Sequence, residues 1–363
     1  MFMTDAERAA RIRAAVERCS AVKDEDFSGM TESQRAAEAE RLRQKALEEA
    51  RRLQMEGHPR GRAKESLARI LDFDPKQEGR YYNRIYFVDH ATFDLDEESP
   101  IGPMRYTDRV SKPGGRQYEP CDAGLNIFSV KIGSSDVGFP IHVYGTVIAR
   151  DSIDNKCLYL FRRDRDHCQL INSEDESLIL TGPKRGLLLL NDDYVEMDLK
   201  IKDHGGQDRE LSKGILTIRG VAIRYLDQCE VESKSLATRL STVDVMYAVV
   251  KCAVEATIAI EVVQGGFYGE ITAHTTSVKN NLVLYDSEVV GGMSGDGNGV
   301  IQLMRPVICV YVKDMLIIVA QNGDGKSQTV EFTPRFTGGE EDVITVGGVT
   351  KMRVKVTWSI MDL

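Results

Sequence analysis

The chain has 363 residues, of which 42% are hydrophobic and 28% charged, with a formal net charge of −9. That length accommodates two or three domains with full cores. The acidic balance argues against a general binder of nucleic acid or acidic membranes, which needs a basic face.

The first residues, Met1 to Arg8, run straight into charge, with no apolar core for a secretory leader. From Thr4 to Ile70 the chain is rich in Ala, Glu, Arg, Gln and Leu, and propensity predicts a charged helical arm over 1–71. Within it Thr31 and Gln34 have capping-box spacing and open a helix expected to run to about Glu56. Ala39, Leu42, Ala46 and Leu53 fall on one side of that helix, while Glu48 and Arg52 pair on the other. So thin and alanine-rich a stripe reads as a solvated arm before a coiled coil. Gly57-His58-Pro59-Arg60-Gly61 then breaks the helix. The first 79 residues carry 16 Lys+Arg and 16 Asp+Glu, so the whole acidic excess lies after them.

Residues 72–124 read as an irregular connection of acid clusters, turn residues and aromatics, including Tyr81-Tyr82-Asn83-Arg84 and Asp94-Leu95-Asp96-Glu97-Glu98. A free linker would hold few aromatics, so some of these are expected to pack along the region beyond residue 124.

In that region the period changes to two. Val195, Met197, Leu199 and Ile201 alternate with Glu196, Asp198, Lys200 and Lys202, the pattern of a strand with one wet face. Val254 to Val262 and Met352 to Ile360 alternate in the same way. The longest apolar stretch, Val243 to Val263, contains Asp244, Lys251, Glu255 and Glu261, which rules it out as a transmembrane helix. Glycine-bearing turns at Asp203–Gly206, Gly291–Gly292, Gly295–Gly299 and Asn322–Gly325 punctuate the strands, as in antiparallel sandwiches or barrels.

Residues 143–161 align without a gap on 267–285, with Tyr144/Tyr268, Gly145/Gly269, Ala149/Ala273, Leu158/Leu282 and Leu160/Leu284 identical. The offset persists downstream, where Leu178, Leu180 and Pro183 meet Ile301, Leu303 and Pro306. The expected fold is therefore mainly β: two tandem antiparallel β-sandwich-like units from an internal duplication, at 125–235 and 236–363, preceded by the helical arm. Gly145 and Gly269 are expected to mark a bulge or a close approach of backbone.

No pattern in the chain specifies chemistry. Seven cysteines stand singly with no CxxC pair, which fits free thiols in a reducing compartment. Asp151 with Asp154, Asp164 with Asp166, Asp192 with Asp193, and Asp296 or Asp324 lie in predicted loops where a calcium-dependent C2-like module would place its ion, but none has EF-hand spacing. The histidines, His58, His90, His142, His167, His204 and His274, are isolated. Gly295 to Gly299 lacks the strand-to-helix context of a phosphate cradle. The run Phe161 to His167 reads as a self-compensated turn more readily than as an anion contact.

The segments Phe139 to Asp151, Leu178 to Pro183 and Ala253 to Ile258, with Ser99 to Thr107 as an opening stretch, resemble a plant domain family of unknown function expanded in grasses. Some members of that family are joined to ribosome-inactivating domains. Here Glu49-Ala50-Arg51-Arg52 supplies only a fragment of the rRNA N-glycosidase pattern, no tyrosine precedes it, and the sole tryptophan, Trp358, is far downstream, so that activity is judged absent. The resemblance implies a role in plant stress or defence.

The combined expectation is a cytoplasmic or nuclear, non-enzymatic module that binds a protein partner, with no catalytic residue, cofactor or metal assigned. Its competitors are an enzyme or small-ligand binder with a site between the two β units, and the calcium-dependent C2-like module.

Overall fold

In the computed structural model of the chain, Val195, Met197, Leu199 and Ile201 are all at most 5% exposed, so the alternating apolar residues become one buried face of a strand. The structure describes residues 67–90, 92–104, 123–203, 205–220, 229, 231–294 and 299–361, with isolated positions before 67. Most of the predicted arm, including Glu49 to Arg52 and His58, lies outside the described residues, as do His204 and Asp296. Among the positions that are described, the Thr31 amide donates to Gln34 Oε1 (3.1 Å) and the Gln34 amide donates to Thr31 Oγ1 (3.4 Å), the reciprocal bonds of a capping box.

The chain divides into two compact units, residues 1–72 with 86–94, and residues 73–85 with 95–363. Strand β1 (Leu71–Asp74) precedes a 3-10 turn, Pro75–Gln77, and β2 (Gly79–Tyr82) comes after it. Asp74 caps the turn by accepting from the Lys76 amide at 2.9 Å.

Nine strands then build a first lobe: β3 (Ala123–Ser135), β4 (Ile141–Arg150), β5 (Leu158–Arg163), β6 (Gln169–Ile171), β7 (Leu187–Leu189), β8 (Asp192–Ile201), β9 (Arg209–Arg219), β10 (Val231–Thr238) and β11 (Ser241–Val250). They form two antiparallel sheets, β10-β11-β3-β7 and β5-β4-β8-β9, with β6 also on β4. One apolar cluster draws Leu125, Ile127 and Val245 from the first sheet and Val143, Val147 and Leu199 from the second. Burial of each such side chain contributes roughly 1.5–3 kcal/mol.

The second lobe comprises β12 (Ala253–Gln264), β13 (Gly266–Phe267), β14 (Gly269–Thr275), β15 (Leu282–Asp286), β16 (Met293–Ser294), β17 (Val307–Tyr311), β18 (Leu316–Asn322), β19 (Ser327–Phe332), β20 (Gly338–Val346) and β21 (Thr350–Ile360). Its main sheets are ordered β20-β21-β12-β17 and β15-β14-β18-β19, which matches the first lobe element by element. Its own cluster is built on Ile258, Ile318, Val354 and the fully buried Trp358. The expected division at 235/236 falls within β10, whose neighbour β11 pairs with β3.

The correspondence extends to local contacts. Gly145 (φ 118°) on β4 lies so close to β8 that a Cβ would stand 2.1 Å from the Asp198 carbonyl oxygen, and Gly269 on β14 lies equally close to Gln321 on β18, at 2.0 Å. The Leu178 amide donates to the Val130 carbonyl and the Ile301 amide to that of Ile260, both at 2.8 Å.

Candidate functional site: a strapped sheet face with a polar cavity

Glu196 sits on β8 at a position whose alternation predicts solvent, yet it is only 3% exposed. The wet-face expectation fails for this residue because residues 83–85 and 95–104 cover that part of the sheet. Arg150 on β4, fully buried, meets the carboxylate twice: its Nε stands 2.8 Å from Oε1 and its Nη2 donates to Oε2 at 2.9 Å. Arg84 Nε donates to Oε2 at 3.1 Å, and the Ile85 amide donates to Oε1 at 2.7 Å. Charge-assisted hydrogen bonds of this kind are among the strong ones. Burial pulls the Arg84 guanidinium down, but the facing carboxylates of Glu196 and Asp96 outweigh it and leave it raised.

The remaining Arg150 donors hold loops in place: Nη1 donates to the Asn155 carbonyl at 2.8 Å and Nη2 to the Leu95 carbonyl at 2.5 Å. From Leu95 the chain forms a strap. Cys157 and the strap exchange main-chain bonds, with Cys157 N donating to Glu97 O (2.9 Å) and Ser99 N to Cys157 O (3.0 Å). At Met104 the strap's amide donates to Glu255 Oε1 at 2.5 Å. Glu255 belongs to β12, so the strap reaches from the first lobe to the second.

Beside the strap Arg185, 1% exposed, is clamped by Asp151, which also accepts from the Leu188 amide at 3.0 Å. Asp154 accepts from Ser99 Oγ at 2.7 Å. The Asp151 and Asp154 pair is thus engaged by an arginine and the strap. Asp164 accepts from the amides of Asp166 and His167 and faces His167 Nδ1 at 2.8 Å, while Arg165 Nε donates to Asp208 at 2.7 Å. Asp324 pairs with Lys326 at 3.0 Å. Among the described residues no group of three or more His, Cys, Asp or Glu could hold a metal ion. Cys157 and Cys309 are buried free thiols, and burial pushes both up, away from reactive thiolate.

A cavity of about 130 Å³ opens on the same sheet face. Its floor is a cross-strand row, Thr146 on β4 opposite Asp198 on β8 opposite Lys213 on β9, with Ile148 and Glu196 in the adjoining row. Asn83, Arg84 and Asp96 line one wall, and Tyr159 of β5 lines another. Asp198 Oδ1 is sealed from solvent and has no hydrogen-bond partner among the described residues. A second hollow, between the lobes, is lined by Asn126, Phe128, His274 and Asp314 among others, and it admits no water.

Of the residues beneath and beside the strap, the sequence alone singles out Asp151 and Asp154, but for a cation. It does not single out Arg84, Arg150, Glu196 or Asp198. One signal is present at Arg150, a charged residue ending a run of apolar strand residues, where the aligned position of the second unit is His274. Arg150 pairs in register with Tyr194, and His274 pairs with Ile317.

Residues 124–356 match the model of a family described as a domain of unknown function, DUF6598. No curated protein matches the sequence. Among solved structures, human GIVD cytosolic phospholipase A2 aligns at a TM-score of 0.22 and 10% identity, over 67% of this chain and 30% of that one. Its complex with methyl gamma-linolenyl fluorophosphonate aligns at 0.21 and 9%, over 67% and 33%. The chain spans about a third of those chains. Likeness at that level carries no argument about fold or activity.

Proposed function

Because the chain belongs to the family of DUF6598 domains, whose description assigns no activity, we propose a function from geometry alone: a non-enzymatic scaffold that presents two fixed β lobes to a protein partner. The observation that carries this reading is the polar lock joining the lobes. Arg305 of the second lobe, 3% exposed, donates to the carbonyls of Ile127 and Gly182 in the first, and Glu255 accepts from both the Gly186 amide (2.7 Å) and the strap. The buried charges of Arg150, Glu196, Arg185 and Asp151 are likewise engaged in holding main chain in place. Fixed relative geometry is what a presenting scaffold needs.

Internal duplication of one ancestral unit accounts for the matching strand orders and for the paired close approaches at Gly145 and Gly269. The two units are then best divided between Val250 and Ala253, with the charged arm outside both. The resemblance to the grass-expanded family favours a plant stress or defence role, and the single free thiols favour the cytoplasm or nucleus. No helix among the described residues is long and apolar enough to cross a membrane.

The test is to immobilise the full chain, identify proteins that bind it saturably, and rebuild each complex from purified components. A reconstituted complex supports the scaffold. Turnover of a small molecule that Glu196→Gln abolishes at unchanged folding would replace it with an enzyme.

A further inference from the structure

One end of the second lobe carries a surface that the contacts joining the lobes do not use. We propose that it docks a partner protein segment in which arginine or lysine stands beside bulky apolar side chains. The inference rests on the scaffold reading and names the partner chemistry that this part of the scaffold takes.

Apolar exposure comes first. Phe267 and Ile271 point into the core of the lobe, so Tyr268 and Glu270, one residue out of phase with them, project away from it. Tyr268 is 57% exposed, and its ring is held between two loops: a Cβ on Gly292 would stand 3.3 Å from its Cδ2 and one on Gly323 3.4 Å from its Cδ1. The helical turn Ser287–Val290 is anchored beside it, with Ser287 Oγ accepting from the Gly269 amide at 2.7 Å, and leaves Val289 and Val290 exposed. A fixed aromatic next to exposed branched side chains is the kind of anchor on which protein contacts are built.

Charge selects the partner. Glu270 on β14 and Asp286 on β15 stand directly opposite in register, where like charges repel. Partial burial, and after it the Asp286 carboxylate, pushes the Glu270 carboxyl above its ordinary value. Glu288 adds an exposed third carboxylate just before Val289. Among the described residues none of the three is in a salt bridge, and Lys326, in the loop that carries Gly323, is committed to Asp324 at 3.0 Å. A guanidinium or ammonium group from a partner relieves this repulsion, and the Tyr268 ring offers it a π face. Nucleic acids and anionic membranes are repelled by the same carboxylates. A two-fold pairing with a second copy would set carboxylates against carboxylates.

The first lobe closes its matching end on itself. Tyr144, which precedes Gly145 as Tyr268 precedes Gly269, donates to Asp208 Oδ2 at 2.7 Å, and Arg165 Nε donates to the same oxygen at 2.7 Å. Tyr268 has no such network among the described residues, so the second lobe is the one that presents this surface.

Fluorescence anisotropy on the full chain tests this with three labelled ten-residue peptides, alternating arginine with leucine, glutamate with leucine, and arginine with serine, and with phosphatidylcholine vesicles. The arginine–leucine peptide is expected to bind, and the other two at least tenfold more weakly. Glu270→Gln with Asp286→Asn, which keeps the cap of the helical turn, is expected to weaken binding tenfold or more, as is Tyr268→Ser with Val290→Ser. Asp166→Asn in the first lobe is expected to leave it unchanged. Circular dichroism shows which variants fold, and should one double variant fail to, the other carries the test. The proposal is overturned if the arginine–leucine peptide does not bind, if the three peptides bind alike, if the folded double variants bind as tightly as the wild type, or if the vesicles bind in its place. A reconstituted protein partner that binds the wild type and both double variants alike overturns this site and leaves the scaffold standing. Peptide binding through this surface with no protein partner found keeps the site and removes the scaffold.

Discussion

The side chain of Asn126 occupies the place of a strand residue opposite Cys309: its Nδ2 donates to the Cys309 carbonyl at 2.8 Å and its Oδ1 accepts from the Cys309 amide at 2.9 Å. Asn126 lies on β3 and Cys309 on β17, so one carboxamide joins a sheet of the first lobe to a sheet of the second. Two residues earlier, a Cβ on Gly124 would stand 2.8 Å from Cys309 Cβ, and only glycine allows so close a seam.

Truncating Asn126 to alanine strands two buried main-chain groups of Cys309 at once. At about 1–3 kcal/mol for each unsatisfied group, a loss of roughly 2–4 kcal/mol is expected in urea unfolding. Asn126→Asp keeps the acceptor but removes the donor and buries a charge, so it should destabilise as well. An unchanged midpoint for the alanine variant would show that the seam is held by apolar packing alone.

Gly145→Ala is expected to destabilise by at least about 1–3 kcal/mol, because the new methyl meets the Asp198 carbonyl oxygen at 2.1 Å, a main-chain atom that cannot rotate away. Gly269→Ala should behave alike against Gln321. Gly102→Ala is the control: nothing lies within 4 Å of its Cβ position, and thermal unfolding should be nearly unchanged.

The strands were legible in the sequence because each has one buried face, and a period of two survives wherever that holds: Met352, Val354, Val356, Trp358 and Ile360 are all buried while Lys351, Arg353 and Lys355 are exposed. Gly145 and Gly269 were legible as close approaches because no other residue tolerates their geometry. The strap was not, since Leu95 to Met104 is held by main-chain bonds to Cys157 and by carboxylates distant in sequence, and neither leaves a periodic trace. For the same reason Glu196 reads as a solvated residue: its burial is imposed by a segment about a hundred residues upstream.

Arg150 and Glu196 should be strongly coupled. Glu196→Met leaves the Arg150 charge buried without its carboxylate, a loss of about 3–5 kcal/mol, and Arg150→Met strands Glu196 in the same way. The double methionine variant removes both charges and should cost clearly less than the two losses added together. Urea unfolding of the four proteins closes the cycle, and strict additivity would mean that the pair is no ion-pair unit.

Asp193 gives the chain a dependence on pH opposite to that of an ordinary salt-bridged acid. Its carboxyl is 1% exposed, and burial first, with the nearby Asp151 carboxylate second, pushes it well above the usual carboxylate range. The Ser152 hydroxyl, 3.4 Å from Oδ1, and Arg185 oppose that shift without cancelling it. The folded state therefore keeps a proton that the unfolded chain releases near the ordinary aspartate value of about 3.9. Its contribution to stability is complete below that pH and is lost as pH rises through the raised folded value. Asp193→Asn carries no such proton, so the stability of wild type relative to the variant should fall steadily as pH is raised from about 4 towards neutrality. Urea midpoints for both proteins at stepped pH measure the difference, and parallel curves would show that Asp193 titrates as an ordinary exposed acid.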